Sequence, residues 1–257
     1  MTLTITTTPT SDAGRPSRTQ VAVSRAAGGG RVSVWLDADG PADRPVVRPV
    51  LLSSDEHGAR VCLVPEGALL LAGDRIEITI SVGSGVRLEL VEPAGTVAYA
   101  MDGDRATWDV AIDLDVDAAV VWAGEPFVVA AGADVTRSTT VRLGVGARAA
   151  LREIVVLGRH GEASGRLEQH LTATGPGGRP VLSEALEVGP GSSRLLLGGA
   201  RIVGSVIALG ATLPESAPAD GTRFDLDEGG TVVRALGVEA HRATLATSWG
   251  LAREAVA

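Results

Sequence analysis

A histidine beside a glutamate, His160 and Glu162 in the segment GRHGE, is the strongest candidate for metal chemistry in this chain. Imidazole and carboxylate groups both bind divalent metals. The other three histidines form neither an H-x-H nor an H-E-x-x-H pattern, and His57 and Cys62 make too loose a pair for a zinc or nickel site. An ordinary turn histidine is the alternative interpretation of His160.

Four aspartates form a second candidate, because they alternate along the segment WDVAIDLDVD and share one face of a predicted strand: Asp109, Asp113, Asp115 and Asp117. Calcium would need a glycine-bearing loop and a closing glutamate, and neither follows at the required spacing. The face is either a partner-binding surface, with Asp113 and Asp115 as the candidate contact residues, or a solvated face balanced by arginine on a neighbouring strand.

The sequence shows no catalytic motif that withstands inspection. The segment GVGARA, from Gly144 to Ala149, fits the shape of a dinucleotide-binding turn, but the β-branched run after it predicts a strand where such a site requires a helix. No G-x-S-x-G elbow occurs, and the chain has no lysine for a Walker A site or a Schiff base. No catalytic constellation therefore remains in the sequence, and no motif predicts a permanently bound cofactor.

The composition predicts a soluble, cytoplasmic protein. Apolar residues make up 45% of the 257, aromatic residues only 3%, and no apolar run approaches the length of a membrane span. The threonine-rich N-terminus lacks the pattern of a secretory signal, and the single cysteine excludes an internal disulfide. A net charge of −8 disfavours nucleic-acid binding, which requires a basic surface.

Apolar–polar alternation dominates from residue 20 onward and predicts an all-β fold. The stretch LAGDRIEITISVGSGVRLEL is typical of a hairpin, and Gly28–Gly30 marks the turn of another. The turns near Gly85, Asp117 and Gly146 recur about every thirty residues. We predict repeated strand-turn-strand units that form a β-solenoid-like layered body, with residues 20–257 as a single domain and 1–19 as a disordered tail.

The C-terminal part departs from this pattern. Residues 193–213 are apolar enough to be buried and fit either a strand or a short helix. Trp249 and Arg253 lie on a predicted C-terminal α-helix and are candidate partner-binding residues, since Trp and Arg dominate binding hot spots. Packing of Trp249 on the body is the alternative. Five apolar residues at helical spacing predict this helix: Val238, Leu245, Trp249, Ala252 and Val256.

Several short motifs follow one another in order along residues 20–257. They are Gly73-Asp74 before an alternating strand, a segment from Thr96 to Tyr99, the turn Gly146-Ala147, the segment EIVVLGRHGE from Glu153 to Glu162, and a helix carrying Trp and Arg. Their order resembles the urease accessory protein D family, called H in some bacteria. Val97 stands where the family pattern has a lysine, so the chain resembles a divergent member.

The resemblance implies a scaffold protein and not an enzyme. It implies that the chain binds apo-urease and recruits the accessory proteins F and G, the latter a GTPase, for delivery of nickel to the urease active site. Nickel would be in transit through an internal passage. On this interpretation Glu153, Arg159 and Glu162, with His160, are candidates to line the nickel path, and an ion-paired turn is the alternative for the charged residues.

Two other classes of protein remain open at this point. One is a stand-alone β-rich binding module with no connection to urease. The other is a hydrolase whose site is assembled from residues that lie far apart in the sequence.

Overall fold

The computed structural model describes residues 15–215, 220–239 and 243–256. His241 and residues 1–14 of the predicted tail lie outside this part, and the first strand begins at Ser17, within the segment predicted as tail. A short 3₁₀ turn spans Pro176–Gly178. The described residues also form seventeen strands and two helices: β1 (Ser17–Ser24), β2 (Ser33–Asp39), β3 (Val46–Ser54), β4 (Gly58–Glu66), β5 (Arg75–Val82), β6 (Arg87–Val91), β7 (Thr96–Ala98), β8 (Ala106–Leu114), β9 (Ala119–Ala123), β10 (Phe127–Val129), β11 (Asp134–Leu143), β12 (Arg148–Leu157), β13 (Arg166–Thr174), β14 (Pro180–Val188), α1 (Ser193–Leu196), β15 (Ile202–Leu209), β16 (Thr222–Asp225), β17 (Gly230–Gly237) and α2 (Ala246–Val256).

The strands form two sheets. The seven-stranded sheet has the order β14-β13-β11-β8-β5-β1-β2, and the ten-stranded sheet has the order β16-β17-β15-β12-β9-β6-β4-β3, with β10 paired to β12 and β7 paired to β10. Alternate residues of each strand point into the space between the sheets, as in β5, where Ile76, Ile78, Ile80 and Val82 are buried. These inward faces make one apolar core that extends from Val21 to Val232.

The central strands repeat along the chain and confirm the predicted solenoid-like architecture. In the seven-stranded sheet, β5, β8, β11 and β13 are parallel neighbours. In the ten-stranded sheet, β6, β9 and β12 are parallel in the same way. Residues paired across these strands are 29 to 32 positions apart in the sequence, as with Ile78, Val110 and Thr139. The chain therefore passes from one sheet to the other once in each strand-turn-strand unit.

This crossing corrects one of the predicted hairpins. The strands β5 and β6 were expected to pair across the turn at Gly83–Gly85, but they belong to opposite sheets. Their apolar sides face each other through the core, and each pairs with the equivalent strand of the next unit. The hairpin predicted at Gly28–Gly30 does form, since β1 and β2 are antiparallel and Ser24 pairs with Ser33.

The crossing turns stack on one another at one edge of the body. Gly85, Asp117 and Gly146 occupy equivalent places and all have a left-handed backbone, with φ of 63°, 55° and 70°. The amide of Gly85 donates to the carbonyl of Val116 at 2.9 Å, and that of Asp117 donates to the carbonyl of Val145 at 2.8 Å. The GVGARA segment is one of these turns and leads into strand β12, so it lacks the helix that a dinucleotide site requires.

The C-terminal helix α2 covers part of the outer face of the ten-stranded sheet. It packs with Trp249, Ala252 and Val256 on Val121 and Val206. The predicted start of this helix was wrong, because β17 continues to Gly237 and α2 begins only at Ala246. The ambiguous stretch 193–213 contains both the short helix α1 and the buried strand β15. Neither helix of the described part is long and apolar enough to cross a membrane.

Candidate functional site

Three polar side chains lie between the two sheets, where most neighbours are apolar. Arg137 on β11 shares the inward face with the buried residues Val135 and Val141, because it has the same parity along the strand. Gln169 on β13 is its direct partner in the parallel register. Glu153 reaches them from β12 in the opposite sheet. We call Arg137, Glu153 and Gln169 the interior polar cluster.

Glu153 uses both of its carboxylate oxygens in this cluster. Its Oε1 lies 2.8 Å from Nη2 of Arg137, and its Oε2 accepts a hydrogen bond from Nε2 of Gln169 at 3.0 Å. Nη1 of Arg137 donates to Oε1 of Gln169 at 3.4 Å. The Arg137 and Glu153 side chains are only 14% and 10% exposed, so their charges compensate each other with little help from water.

A first cavity, of about 30 Å³, adjoins one side of the interior polar cluster. Its volume is enough for water, and both walls carry charge. The Nε atoms of Arg137 and Arg152 are buried without a hydrogen-bond partner among the described residues. They are donors that water in the cavity can satisfy. The charged residues of its lining are Glu92, Glu125, Arg137, Arg152 and Glu153.

Glu92 lines the first cavity and has a shifted pKa. Burial raises the pKa of its carboxyl above the ordinary value, and hydrogen bonds from the amide of Glu125 and from Nε1 of Trp122 lower it by less. These bonds measure 2.9 Å and 2.8 Å. Glu92 therefore holds the loop after β9, which carries Glu125, in place beside the cavity.

A second cavity, also of about 30 Å³, adjoins the other side of the cluster. Glu153 and Gln169 line it together with Glu184, Ser205 and Arg234. Nη2 of Arg234 donates to Glu184 at 2.9 Å, and its Nε donates to Oγ of Ser205 at 3.2 Å. Because Glu153 lines both cavities, the interior polar cluster separates two small polar spaces inside the body.

The predicted metal residues do not lie together. Glu153 is buried in the core, whereas His160 is exposed in the turn after β12. Glu162 in the same turn pairs with Arg159 at 2.8 Å, and this neighbour lowers the pKa of the Glu162 carboxyl. Neither His160 nor Glu162 lines the two cavities. Within the part of the chain that the structure describes, no three His, Cys, Asp or Glu side chains are grouped as for a metal ion.

Arg201 holds the GRHGE turn in its shape. Its Nη2 donates to the carbonyls of Arg159 and Glu162 at 2.6 Å and 2.9 Å, and its Nε donates to the carbonyl of Leu157 at 3.2 Å. Three carbonyls, one on the last residue of β12 and two in the turn after it, are thus satisfied by one side chain. The turn containing His160 is fixed by the hydrogen bonds from Arg201 to its backbone carbonyls and by the Arg159–Glu162 ion pair.

The four aspartates do not form one face. Asp109 and Asp113 lie on β8, but Asp115 and Asp117 are exposed in the turn that follows. Asp113 pairs with Arg142 of the neighbouring strand, with Nη2 and Oδ2 3.1 Å apart, as an arginine-balanced face requires. Their partner-binding role stays a prediction, with Asp115 the more accessible of the two candidates.

The two candidates on α2 have opposite environments. Trp249 is 7% exposed, packs on the sheet, and has the guanidinium of Arg152 at 5.6 Å from its ring centre. Arg253 is 49% exposed and lies 3.7 Å from Glu89. Asp220 fixes the start of α2 by accepting a hydrogen bond from the amide of Thr247 at 2.8 Å. A partner that docks on α2 from solvent meets Arg253 before Trp249.

Sequence reasoning missed most of the interior polar cluster. Arg137 and Gln169 carried a usable signal, because each occupies an inward position of an alternating strand: DVTRSTTVRL for Arg137 and RLEQHLTAT for Gln169. A charged residue in phase with buried valines predicts a buried partner. Glu92 carried no comparable signal, since it follows the last residue of β6.

Comparisons with known proteins agree on one family. The sequence profile described as "UreD urease accessory protein" matches residues 15–257. "Urease accessory protein UreD 1" of Streptomyces griseus is 42% identical over 241 residues, which cover 91% of each chain. "Urease accessory protein UreD 2" of Saccharopolyspora erythraea is 34% identical over 200 residues, covering 75% of this chain and 67% of the relative. The chain belongs to the UreD family of urease accessory proteins.

Proposed function

We propose that this protein is a non-catalytic scaffold that binds apo-urease and recruits the urease accessory proteins F and G for nickel insertion. The observation that carries the proposal is the family match over residues 15–257. The layered body supports it, because two sheets around one continuous core hold their outer surfaces in a fixed relation. A cytoplasmic location accords with the single cysteine.

In this role nickel is the transported ion and not a resident cofactor of the protein. The two cavities that meet at Glu153 form a polar region of the interior, and their linings supply oxygen ligands from carboxylates, an amide and hydroxyls but no histidine or cysteine. Oxygen ligands hold nickel less firmly than imidazole or thiolate. A route must bind an ion strongly enough to admit it and weakly enough to release it.

This geometry narrows the nickel path predicted from the sequence. Of the residues Glu153, His160 and Glu162, only Glu153 lines the interior. We assign the passage to the two cavities on either side of Glu153. His160 and Glu162 lie in an exposed turn, where they are available to an incoming ion or to a partner protein.

Co-expression with the accessory proteins F and G of the same organism tests the scaffold role. We expect the three proteins to elute together as a defined complex on a sizing column, and nickel-dependent activation of urease to rise when the complex is present. Elution of this chain alone, while F and G still bind each other, would contradict the proposal and favour a stand-alone β-rich binding module.

A pair of matched variants tests the surface of α2. Arg253→Ala removes an exposed guanidinium from the helix, and we expect it to weaken co-elution. Arg48→Ala removes a comparably exposed guanidinium, which lies on the edge strand β3 of the ten-stranded sheet and is paired with Glu66, and serves as the control. Equal retention of both variants in the complex would exclude Arg253 as a contact residue.

A further inference from the structure

A positively charged side chain of the protein, Arg137, already lies at the junction between the two cavities. Glu153 is the carboxylate common to both linings, and the guanidinium of Arg137 lies 2.8 Å from it. A metal ion that arrives from either cavity therefore meets a neutralised pair. A compensated carboxylate attracts a second cation only weakly.

The guanidinium of Arg137 contacts two oxygen atoms, one on each of two neighbouring side chains. One is Oε1 of Glu153, and the other is Oε1 of Gln169, which accepts from Nη1 of Arg137 at 3.4 Å. The second oxygen of Glu153 is held separately by Nε2 of Gln169 at 3.0 Å. Withdrawal of the guanidinium thus frees one carboxylate oxygen and one amide oxygen, and the Glu153–Gln169 hydrogen bond keeps both side chains in position.

We propose that Arg137 masks a divalent-cation site at this junction, and that Oε1 of Glu153 and Oε1 of Gln169 bind the cation when the guanidinium withdraws. The proposal rests on the proposed passage of nickel through the two cavities. Water from the adjoining cavities completes the coordination of the ion. The bound cation can be displaced, because the arginine and the metal ion compete for the same two oxygens.

The opened site favours a cation over an anion or water alone. Without Arg137, Glu153 is a buried carboxylate whose charge no longer has a partner, and such a charge is costly until a cation or a proton neutralises it. An anion would add to the unbalanced charge. A divalent cation, in contrast, gains from the same low-dielectric surroundings that penalise the bare carboxylate.

Arg137 has a place to go on the side of the first cavity. Glu92 and Glu125 line that cavity with it, and its Nε is already buried there without a partner among the described residues. Its guanidinium lies over the ring of Phe127, which also lines the first cavity, with Cζ 5.2 Å from the ring centre. The masking arginine therefore has alternative acceptors within the body.

Nickel titration of the purified full-length chain, without an affinity tag, tests the mask directly. Arg137→Met keeps much of the side-chain volume and removes the charge. We expect its affinity for Ni²⁺, measured by isothermal titration calorimetry, to exceed that of the wild type at least about tenfold. Exposed histidines are common to both proteins and cancel in the comparison. In the double variant Arg137→Met/Glu153→Gln the gain should disappear.

Arg142→Met is the matched control, because Arg142 pairs with Asp113 on the outer surface, where water already screens the carboxylate. Its nickel affinity should equal that of the wild type. A folded Arg137→Met protein with wild-type affinity would overturn the proposal, as would a gain that persists in the double variant. Thermal unfolding of each variant establishes that it is folded.

Arg137→Lys extends the test if Arg137→Met does not fold. Lysine keeps the positive charge, but a single ammonium lacks the planar fork that covers both oxygens at once. We expect at least about a threefold gain in nickel affinity. An unchanged affinity in a folded Arg137→Lys protein would overturn the mask. Failure to co-elute with F and G would contradict only the scaffold role, so the two hypotheses fail separately.

Discussion

Glu153 and Glu162 lie in one short segment, EIVVLGRHGE, and both pair with an arginine at 2.8 Å, yet their surroundings differ in kind. Glu153 is buried between two sheets, and its partner comes from a strand in the opposite sheet. Glu162 lies in a surface turn and pairs with Arg159, three residues away. The same two residue types thus make a long-range interior contact and a local exterior contact.

The difference shows that an arginine–glutamate pair has different properties in the core and at the surface of the same fold. A surface pair is screened by water and salt, so it contributes little to stability and is easily exchanged. A buried pair is balanced within the protein, and loss of one member leaves the other uncompensated. Variants that break the buried pair should therefore lose more stability than variants that break the surface pair.

The largest effect is expected for Glu153→Leu. The substitution keeps an inward side chain of similar volume but leaves Arg137 as a buried charge without a partner. We expect a loss of about 3–5 kcal/mol in the free energy of unfolding, measured by urea denaturation. Arg137→Met/Glu153→Leu should recover most of this loss, and a double variant as unstable as the single one would show that packing, not charge, is at stake.

Trp249→Ala extends the comparison to α2 and should have the next largest effect. The buried indole fills the contact between the helix and the outer face of the ten-stranded sheet. We expect about 3 kcal/mol of lost stability, at the low end for a buried tryptophan because the long side chain of Arg152 can enter the vacated space. Arg253→Ala, on the exposed side of the same helix, should leave the urea midpoint nearly unchanged.

Glu92→Gln should change how stability depends on pH. Burial raises the pKa of Glu92 above its ordinary 4.5, so the folded protein retains the proton to a higher pH than the unfolded chain does. The corresponding stabilisation is complete below pH 4.5 and is lost as the pH rises through the folded pKa. Wild type should therefore lose stability relative to Glu92→Gln across that window, in thermal melts between about pH 4 and pH 8. Parallel curves would contradict the raised pKa.

The smallest effect is expected for Glu162→Gln, in which an exposed ion pair is lost. Arg159 lowers the pKa of Glu162, so the contribution of this pair is present above the unfolded pKa and is lost as the pH falls through the folded one. Any loss of thermal stability at neutral pH should vanish in about 1 M salt. A loss that survives high salt would mean that Glu162 has a structural role beyond this pair.

The repeat and the fold class could be predicted because alternation is a local property. Ile76 through Val82 mark their buried face within a single strand, and the spacing of Gly85, Asp117 and Gly146 gives the length of the unit. The partner of β5 could not be derived in this way. A glycine turn after an alternating strand fits a hairpin and a crossing between sheets equally well, and only long-range packing decides between them.

The contacts of the interior polar cluster also depend on long-range pairing that local sequence patterns do not reveal. Glu153 was identified through the resemblance of its segment to the family motif, but its partners Arg137 and Gln169 reach it through register between units. A shift of one residue in β11 would turn Arg137 to the solvent. The wrong start of the predicted helix has a related cause, since Val238 continues the helical spacing although the strand β17 has only just ended.

The spacing between paired strands also has a consequence for synthesis. From β8 to β13, each parallel strand joins a neighbour that left the ribosome about thirty residues earlier, so this part of the body can be extended unit by unit while the chain emerges. The exception is the last element, α2, which covers Val121, Val206 and Val233 on the outer face of the ten-stranded sheet. Until α2 is released, that apolar face stays open to unwanted association. A chain that stops before Trp249 should therefore aggregate even though its core is complete.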